Sequence, residues 1–426
     1  MPGPLDGIRV LEFSQIVAAP FCGILLSDLG ADVVKVEPVD GEGYRQSSAI
    51  VPNEGKRFQS LNRGKRALSI DLQHPQGRET ILRLLPQFDV VLHNFRPGVD
   101  ERLGLDYPSL SALHPQLIYA SITGFGRRGP LAPNGATDLV AAAYSGLVAG
   151  DVSLDASGAP KQLTPAFSDY ITGTAVAMGI CAALYHRRDT GLGQRVDGSL
   201  LKSALAVQDV YVMREPVSDA ILREPMLEQL EAMRAEGRPF VEQLDARMTF
   251  RWAGSGPPRL YYAGYICLDG ALVLGCLTKP TRAGARRVLG LEGEDRSDDP
   301  DFDARDPSNA PLIASWKRRI EEQMRARPVA DWIADFEAAG VPCAPAQIPE
   351  EMSEDAHVKA AGFMTDLMHD VTGPQQVVGP IIEMSATPTE ARRAAPALGV
   401  HNDELLTELG LTPEEVAALR SAGVIR

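Results

Sequence analysis

The chain has 426 residues, with 42 Lys plus Arg against 56 Asp plus Glu and a formal charge of −14. That length holds roughly two to four domains and excludes a minimal binding module. The surplus of acid excludes a broad electrostatic footprint for nucleic acid or an anionic membrane, so an anionic ligand must find its cations locally. Gly (39) and Pro (32) make up about 17% of the chain, above the average of roughly 12% but below the low-complexity range, as in a folded protein rich in loops. The five cysteines, Cys22, Cys181, Cys267, Cys276 and Cys343, are scattered, odd in number and contain no Cys-x-x-Cys. A disulfide framework and a zinc site are therefore not expected; reduced core thiols in a cytoplasmic protein are. No run of about 18 apolar residues and no export leader stands out, so a soluble chain with no membrane partner is expected.

In chain order, short apolar runs at 8–13, 32–37, 88–93 and 117–123 alternate with amphipathic stretches, the pattern of βα units around a mostly parallel sheet. Residues 18–29 read as a helix with Pro20 in its first turn and Gly30 as its stop, and 75–85 as another. Asn94-Phe95-Arg96-Pro97-Gly98 is the loop after the third strand. In open α/β sheets such strand-end loops are where ligands bind. Apolar helices are expected near 139–148 and 171–186, and a third from Ser199. Charged, Met-bearing sequence over 217–250 and a Gly- and aromatic-rich β pattern over 251–277 place a boundary near Arg223. The acidic stretch 292–306 reads as a solvated surface loop. Residues 315–339 read as helix, and Thr412-Pro413-Glu414-Glu415 as a capping box with Pro at the first helical position.

Gly124-Phe125-Gly126-Arg127-Arg128-Gly129 matches the dinucleotide-binding fingerprint, but Pro130, Pro133, Asn134 and Gly135 continue the loop where that fingerprint needs a helix. The seven histidines show no metal-ligand spacing, and no serine-hydrolase setting is present. Positive charge is concentrated in Lys56, Arg57, Arg63, Lys65 and Arg66, with Arg96 and Arg102 after the third strand. This is either a solvated loop or a local capture site for phosphate. Asp169 stands just before a strongly apolar helix. It reads either as an N-cap or as a carboxylate held ionised by the helix terminus, with an unperturbed pKa of about 3.9, able to attack an activated acyl group without a partner base.

The strings Pro4-Leu-Asp-Gly-Ile-Arg-Val-Leu-Glu-Phe13, Leu29-Gly-Ala-Asp-Val-Val-Lys-Val-Glu37, Asn62-Arg-Gly-Lys-Arg66, Asn94-Phe-Arg-Pro-Gly98, Thr137-Asp138-Leu139, Thr190-Gly-Leu-Gly-Gln194 and Ala339-Gly-Val-Pro-Cys343 resemble the family III CoA-transferases. This is the CaiB/BaiF family, which includes formyl-CoA transferase, carnitine CoA-transferase and α-methylacyl-CoA racemases. The likeness is ordered, runs nearly end to end and includes the tail Leu398-Gly-Val-His-Asn-Asp-Glu-Leu-Leu406.

The resemblance implies an α/β fold: a Rossmann-like large domain over 1–205 with a C-terminal return over 381–426, a smaller α+β domain over 226–350, and linkers at 206–225 and 351–380. It also implies two ring-shaped subunits interlocked as a homodimer. Coenzyme A or acyl-CoA is implied as substrate, with a small carboxylic acid and with no permanently bound cofactor or metal. CoA contacts fall on Val17, Ala18, Ile70, Asp71, Leu72, Gln73, Asn94, Phe95, Arg96, Arg102, Thr137 and Asp138, and the nucleophile falls on Asp169. Pro38 stands where some members place a CoA-binding Arg and Gly135 where formyl-CoA transferase has a Lys. Phosphate contacts from Arg45, Arg63 or Arg66 are expected instead. Gly254-Ser255-Gly256 resembles the glycine loop that covers the aspartate in some members. Racemases of the family carry His where this chain has Thr137, which cannot exchange a proton near neutral pH. The implied activity is acyl-CoA:carboxylate CoA transfer, with a racemase or other CoA-ester isomerase, or a silent CoA-binding paralogue, as alternatives.

Overall fold

The computed structural model describes residues 2–151, 154–161, 164–253, 259–304 and 306–426. Strand Arg9–Phe13 (β1) turns directly into helix Ala18–Asp28 (α1) and the parallel strand Asp32–Glu37 (β2). The chain continues through Lys56–Asn62 (α2), Arg66–Ser69 (β3), Pro75–Leu84 (α3), Val90–His93 (β4), Ile118–Thr123 (β5), Asp138–Tyr144 (α4), Phe167–Thr190 (α5) and Arg195–Ser199 (β6). One six-stranded sheet results, in the order β3-β2-β1-β4-β5-β6, with every pair parallel. This is the doubly wound order, which reverses between β1 and β4 and opens a crevice at their carboxyl ends.

Alternation along the strands feeds two cores. Val10, Val33, Val90 and Ile118 pack under α1 and α5. Leu11, Val34, Val91 and Tyr119 face α3 and the C-terminal segment, which supplies Leu405, Leu406, Val416 and Val424. That segment is fastened by backbone and side chain alike: Asp71 N donates to Val424 O at 2.8 Å and Ser69 N to Asn402 Oδ1 at 2.8 Å.

Two strands were not among the expected apolar runs. β3 is four residues long and opens on Arg66, and β6 is an edge strand of sequence Arg-Val-Asp-Gly-Ser, only part-buried. Neither has enough apolar residues to register as a run. The helix expected at 171–186 spans Phe167–Thr190, and over its 24 residues it is long and apolar enough by composition to cross a bilayer, which corrects the reading that no such stretch exists. One face of it, through Val176, Ala177, Ile180 and Ala183, is core.

The chain divides into two compact units, Met1–Met213 with Asp355–Arg426, and Arg214–Glu354. In the second unit the antiparallel strands Tyr262–Ile266, Ala271–Gly275 and Cys343–Pro345 share a core with Trp316, Ile320, Trp332 and Phe336. The helix expected over 315–339 is two, Ala310–Met324 and Val329–Ala338, separated at Pro328, which cannot continue the first. The acidic stretch 292–306 is not simply solvated. Asp295 is buried and accepts from the Tyr261 hydroxyl at 2.7 Å, and Asp298 binds both Arg282 and Arg286 at 2.6 Å. Within the first unit, residues 355–380 carry a helical turn and the hairpin Met364–His369 with Gly373–Val378.

Gly173 allows α5 to rest against the start of α1: a Cβ there would lie 2.5 Å from the Ala18 carbonyl oxygen. Gly173→Ala is expected to destabilise the protein by up to about 2 kcal/mol, because overpacking of about 1–3 kcal/mol outweighs the roughly 1 kcal/mol gained in helix propensity. A urea midpoint at or above that of the wild type would refute it.

Candidate active site

The crevice is built from the loops that leave β1 and β4. Asn94, at the end of β4, clasps the residue after Ser14 on both sides: its Nδ2 donates to Gln15 O at 2.8 Å, and Gln15 N donates to its Oδ1 at 3.0 Å. Beneath, fully buried Lys35 donates to Ser14 O at 2.9 Å, and fully buried Lys65 donates to Glu12 Oε1 and Pro20 O, each at 2.8 Å. The segment from the end of β1 to the first turn of α1 is thus held by side chains from three other elements.

Two clefts meet at Gln15, Asn94 and Phe95. One, of about 450 Å³, is lined by Ile70, Asp71, Leu72, Gln73 and Arg102 among others. The other, of about 620 Å³, is lined by Val17, Ala18, Arg96, Thr137, Asp138 and Asp169. The structure therefore brings together every expected site residue except Arg45, Arg63 and Arg66. The expectation that those three meet phosphate is corrected, because their charges are matched internally. Arg45 is fully buried, bonds Glu37 at 2.8 and 2.7 Å and stacks 3.6 Å over Phe58. Arg63 is bidentate on Asp28, and Arg66 binds Asp32, Glu404 and Glu408. Arg96 and Arg102, by contrast, are exposed and carry no ion pair among the described residues. Lining residues Ser14, Gln15, Ile16 and Glu42 were missed, although the strand-end rule that found Val17 covers the first three.

Asp169 is not the N-cap of α5. The cap position is Ala166, which makes no side-chain cap bond, and Asp169 is the third residue of the helix. Capping is done from outside, since Asp138, at the start of α4, accepts from Asp169 N at 3.1 Å. The Asp169 carboxylate accepts no hydrogen bond from the described residues and is only 8% exposed. Burial, followed by the neighbouring Asp138 charge, pushes its pKa up to about 7, not the unperturbed value expected for a helix start. Gly126 and Gly129 turn through positive φ, and no helix follows until Asp138, so the glycine motif forms a loop and no dinucleotide turn. Gly254-Ser255-Gly256 lies outside the described residues.

The sequence matches the profile of CoA-transferase family III over residues 5–402. The chain belongs to this family. Curated relatives include a succinyl-CoA:mesaconate CoA-transferase of Haloarcula hispanica, 32% identical over 96% of this chain and 97% of that protein. Others are an acyl-CoA transferase of Fusarium pseudograminearum, 30% identical over 99% and 88%, and a formyl-CoA:oxalate CoA-transferase of Rhodopseudomonas palustris, 30% identical over 99% and 97%. A crystal structure of a CaiB/BaiF family protein from Brucella suis superposes with a TM-score of 0.74 at 28% identity, covering 96% of this chain and all of that one. The protein is a family III CoA-transferase enzyme, and family members take CoA thioesters as substrates.

A buried carboxyl with a raised pKa makes the stability of this CoA-transferase depend on pH. Between its ordinary value of 3.8 and about 7, the unfolded chain ionises while Asp169 in the fold does not, so stability falls as pH rises and the full penalty is present above 7. Asp169→Asn removes that penalty. It is expected to raise stability at pH 8, by up to about 4 kcal/mol, and to change it little at pH 4. Denaturation midpoints at the two pH values check the sign.

Proposed function

We propose that this enzyme moves CoA from an acyl-CoA thioester to a small carboxylic acid, with Asp169 as the nucleophile. The observation that carries this reading is a buried carboxylate, its oxygens unpaired, lining a cleft that joins a second cleft bearing the unpaired cation Arg102. The first cleft suits the acyl exchange and the second the phosphate-bearing part of CoA. The relatives' names support transfer between carboxylic acids, and Thr137 in the cleft favours transfer over racemisation.

The Asp169 carboxylate adds to the thioester carbonyl, the C–S bond breaks, and CoA thiolate leaves a mixed anhydride. The thiolate then attacks the aspartyl carbonyl, releasing the donor acid and forming an aspartyl-CoA thioester. The acceptor carboxylate opens this thioester, giving a second anhydride and the thiolate. Attack of the thiolate on the acceptor acyl carbon yields the new acyl-CoA and restores the carboxylate. One thioester enters and one leaves, so no external energy source is required. The attacking form is the anion, so a carboxyl that titrates near 7 limits the rate on the acid side, and its higher basicity suits it to nucleophilic work.

The assembly proposed is the interlocked homodimer, supported by apolar side chains left exposed on the first unit, among them Met178, Tyr185, Val210 and Met213. A cytoplasmic location is proposed on the five free thiols.

Incubation with a panel of acyl-CoAs and carboxylic acids, followed by hydroxylamine, is expected to leave an adduct on the Asp169 peptide, and Asp169→Ala to lower transfer by more than about a thousandfold. An adduct on another residue, or wild-type exchange by the variant, refutes the mechanism; deuterium uptake at the α-carbon without CoA exchange would mark an isomerase. kcat/KM is expected to rise with pH and level off above about 7. Asp138→Asn keeps the oxygen that accepts from Asp169 N but removes the charge, and should move that limb to lower pH. Arg102→Ala should raise KM for acyl-CoA about tenfold, the loss of one charge-assisted contact.

A further inference from the structure

The loop that faces the nucleophile contains one residue in a conformation its side chain disfavours. Ile16 has φ +71°, in the left-handed region, where a β-branched residue is an outlier. Its amide donates to Glu42 Oε2 at 3.3 Å, and the same oxygen accepts from Tyr44 N at 3.2 Å. Glu42 is itself buried and fixed: its own amide donates to Glu37 Oε1 at 3.3 Å, and its Oε1, which has no hydrogen-bond partner, lies 3.8 Å from Lys35 Nζ. Lys35 is equally far from Glu12 Oε1, and Glu12 is admitted by Gly23, where a Cβ would fall 1.8 Å from Glu12 Oε2.

On the other side, the loop runs into Val17 and Ala18, which line the cleft containing Asp169. There α1 is locked to the helix of the nucleophile by the Gly173 approach to Ala18 O and by the edge-to-face pair Phe21 and Tyr170, with centroids 4.8 Å apart. An unfavourable backbone conformation persists only where its surroundings over-determine it, and such positions concentrate at functional sites.

We propose that Glu42 is a positioning residue: its carboxylate holds Ile16 in the left-handed conformation and thereby fixes the Val17–Ala18 backbone across the cleft from Asp169. This rests on the reading of Asp169 as the acyl-accepting group. Glu42 lines the cleft that holds Arg102, but its carboxylate is turned to Ile16 and Tyr44 and pairs with neither that arginine nor Asp169, so its loss should lower turnover more than it weakens capture of acyl-CoA.

Glu42→Gln, which keeps the size and removes the charge, is expected to lower kcat at least about tenfold, to change KM for acyl-CoA by a smaller factor than kcat and to speed amide hydrogen exchange in the peptide spanning residues 14–19. Adding Ile16→Asn, a residue at ease in the left-handed region, should restore both kcat and protection, whereas Ile16→Val, still β-branched, should restore neither. A purely structural Glu42 would not show that rescue. Unchanged exchange in Glu42→Gln, or a double variant no better than the single one, overturns the proposal. If Glu42→Gln does not fold, the single variants decide: Ile16→Asn should melt at a higher temperature than Ile16→Val, and the reverse order overturns it. Wild-type protein that gives no hydroxylamine adduct on Asp169 would sink the transfer reading instead, and the exchange comparison would still judge the loop.

Discussion

Two ammonium groups with no access to water set the terms for the large unit. Lys35 and Lys65 are fully buried beside β1, and leaving either charge unmatched there would cost several kcal/mol. Glu12 and Glu42 match the two charges between them, and the remaining donors are spent on Ser14, Pro20 and Asn62. Burial pulls Lys65 down to about 8 against the opposing pull of Glu12 and, more weakly, of Glu42. The path of the chain from β1 into α1 follows from satisfying these groups. A doubly wound sheet can place any loop at its reversal; here the loop is dictated by electrostatics from below and by the Asn94 side chain from the flank.

The acids of the crevice divide the work that one residue would otherwise have to do. A helix start presents amides that want a capping acceptor. Asp138 reaches across from its own helix to supply one, which leaves the Asp169 carboxylate unbonded in the cleft. Burial raises the Asp169 pKa and the same neighbour adds to the rise, so the residue that caps the helix also makes the free carboxylate more basic. Cations are divided in a similar way. The arginines nearest the sheet are consumed by Glu37, Asp28 and Asp32, and Arg96 and Arg102, after β4, carry no ion pair among the described residues.

The strands with apolar runs, β1, β2, β4 and β5, could be read from periodicity, because burial on both faces demands such runs. β3 and β6 could not, since one offers only Ala67 and Leu68 between Arg66 and Ser69 and the other is an edge with polar outward positions. The lining of both clefts was legible from the rule that strand-end loops bind ligands, joined to the motif resemblance. The fate of Arg45, Arg63 and Arg66 was not. Whether a cation is free depends on acids brought to it from up to 342 positions away, as Glu408 is to Arg66. The raised pKa of Asp169 is hidden because both of its causes come from the fold: burial first, and then the charge of Asp138, which is 31 residues distant in sequence.

The fastening of the tail has a consequence for synthesis. Leu11, Val34, Leu68 and Val91 share their core with Ile81 and Leu84 of α3 but also with Leu405, Leu406 and Val424, so part of that face of the sheet stays uncovered until the 402–425 segment has been made. The unit at Arg214–Glu354 is continuous in sequence, and its core is drawn from residues 260–343. The second unit can therefore assemble its core while the first, though begun earlier, still waits for the rest of its cover, the reverse of the usual vectorial order.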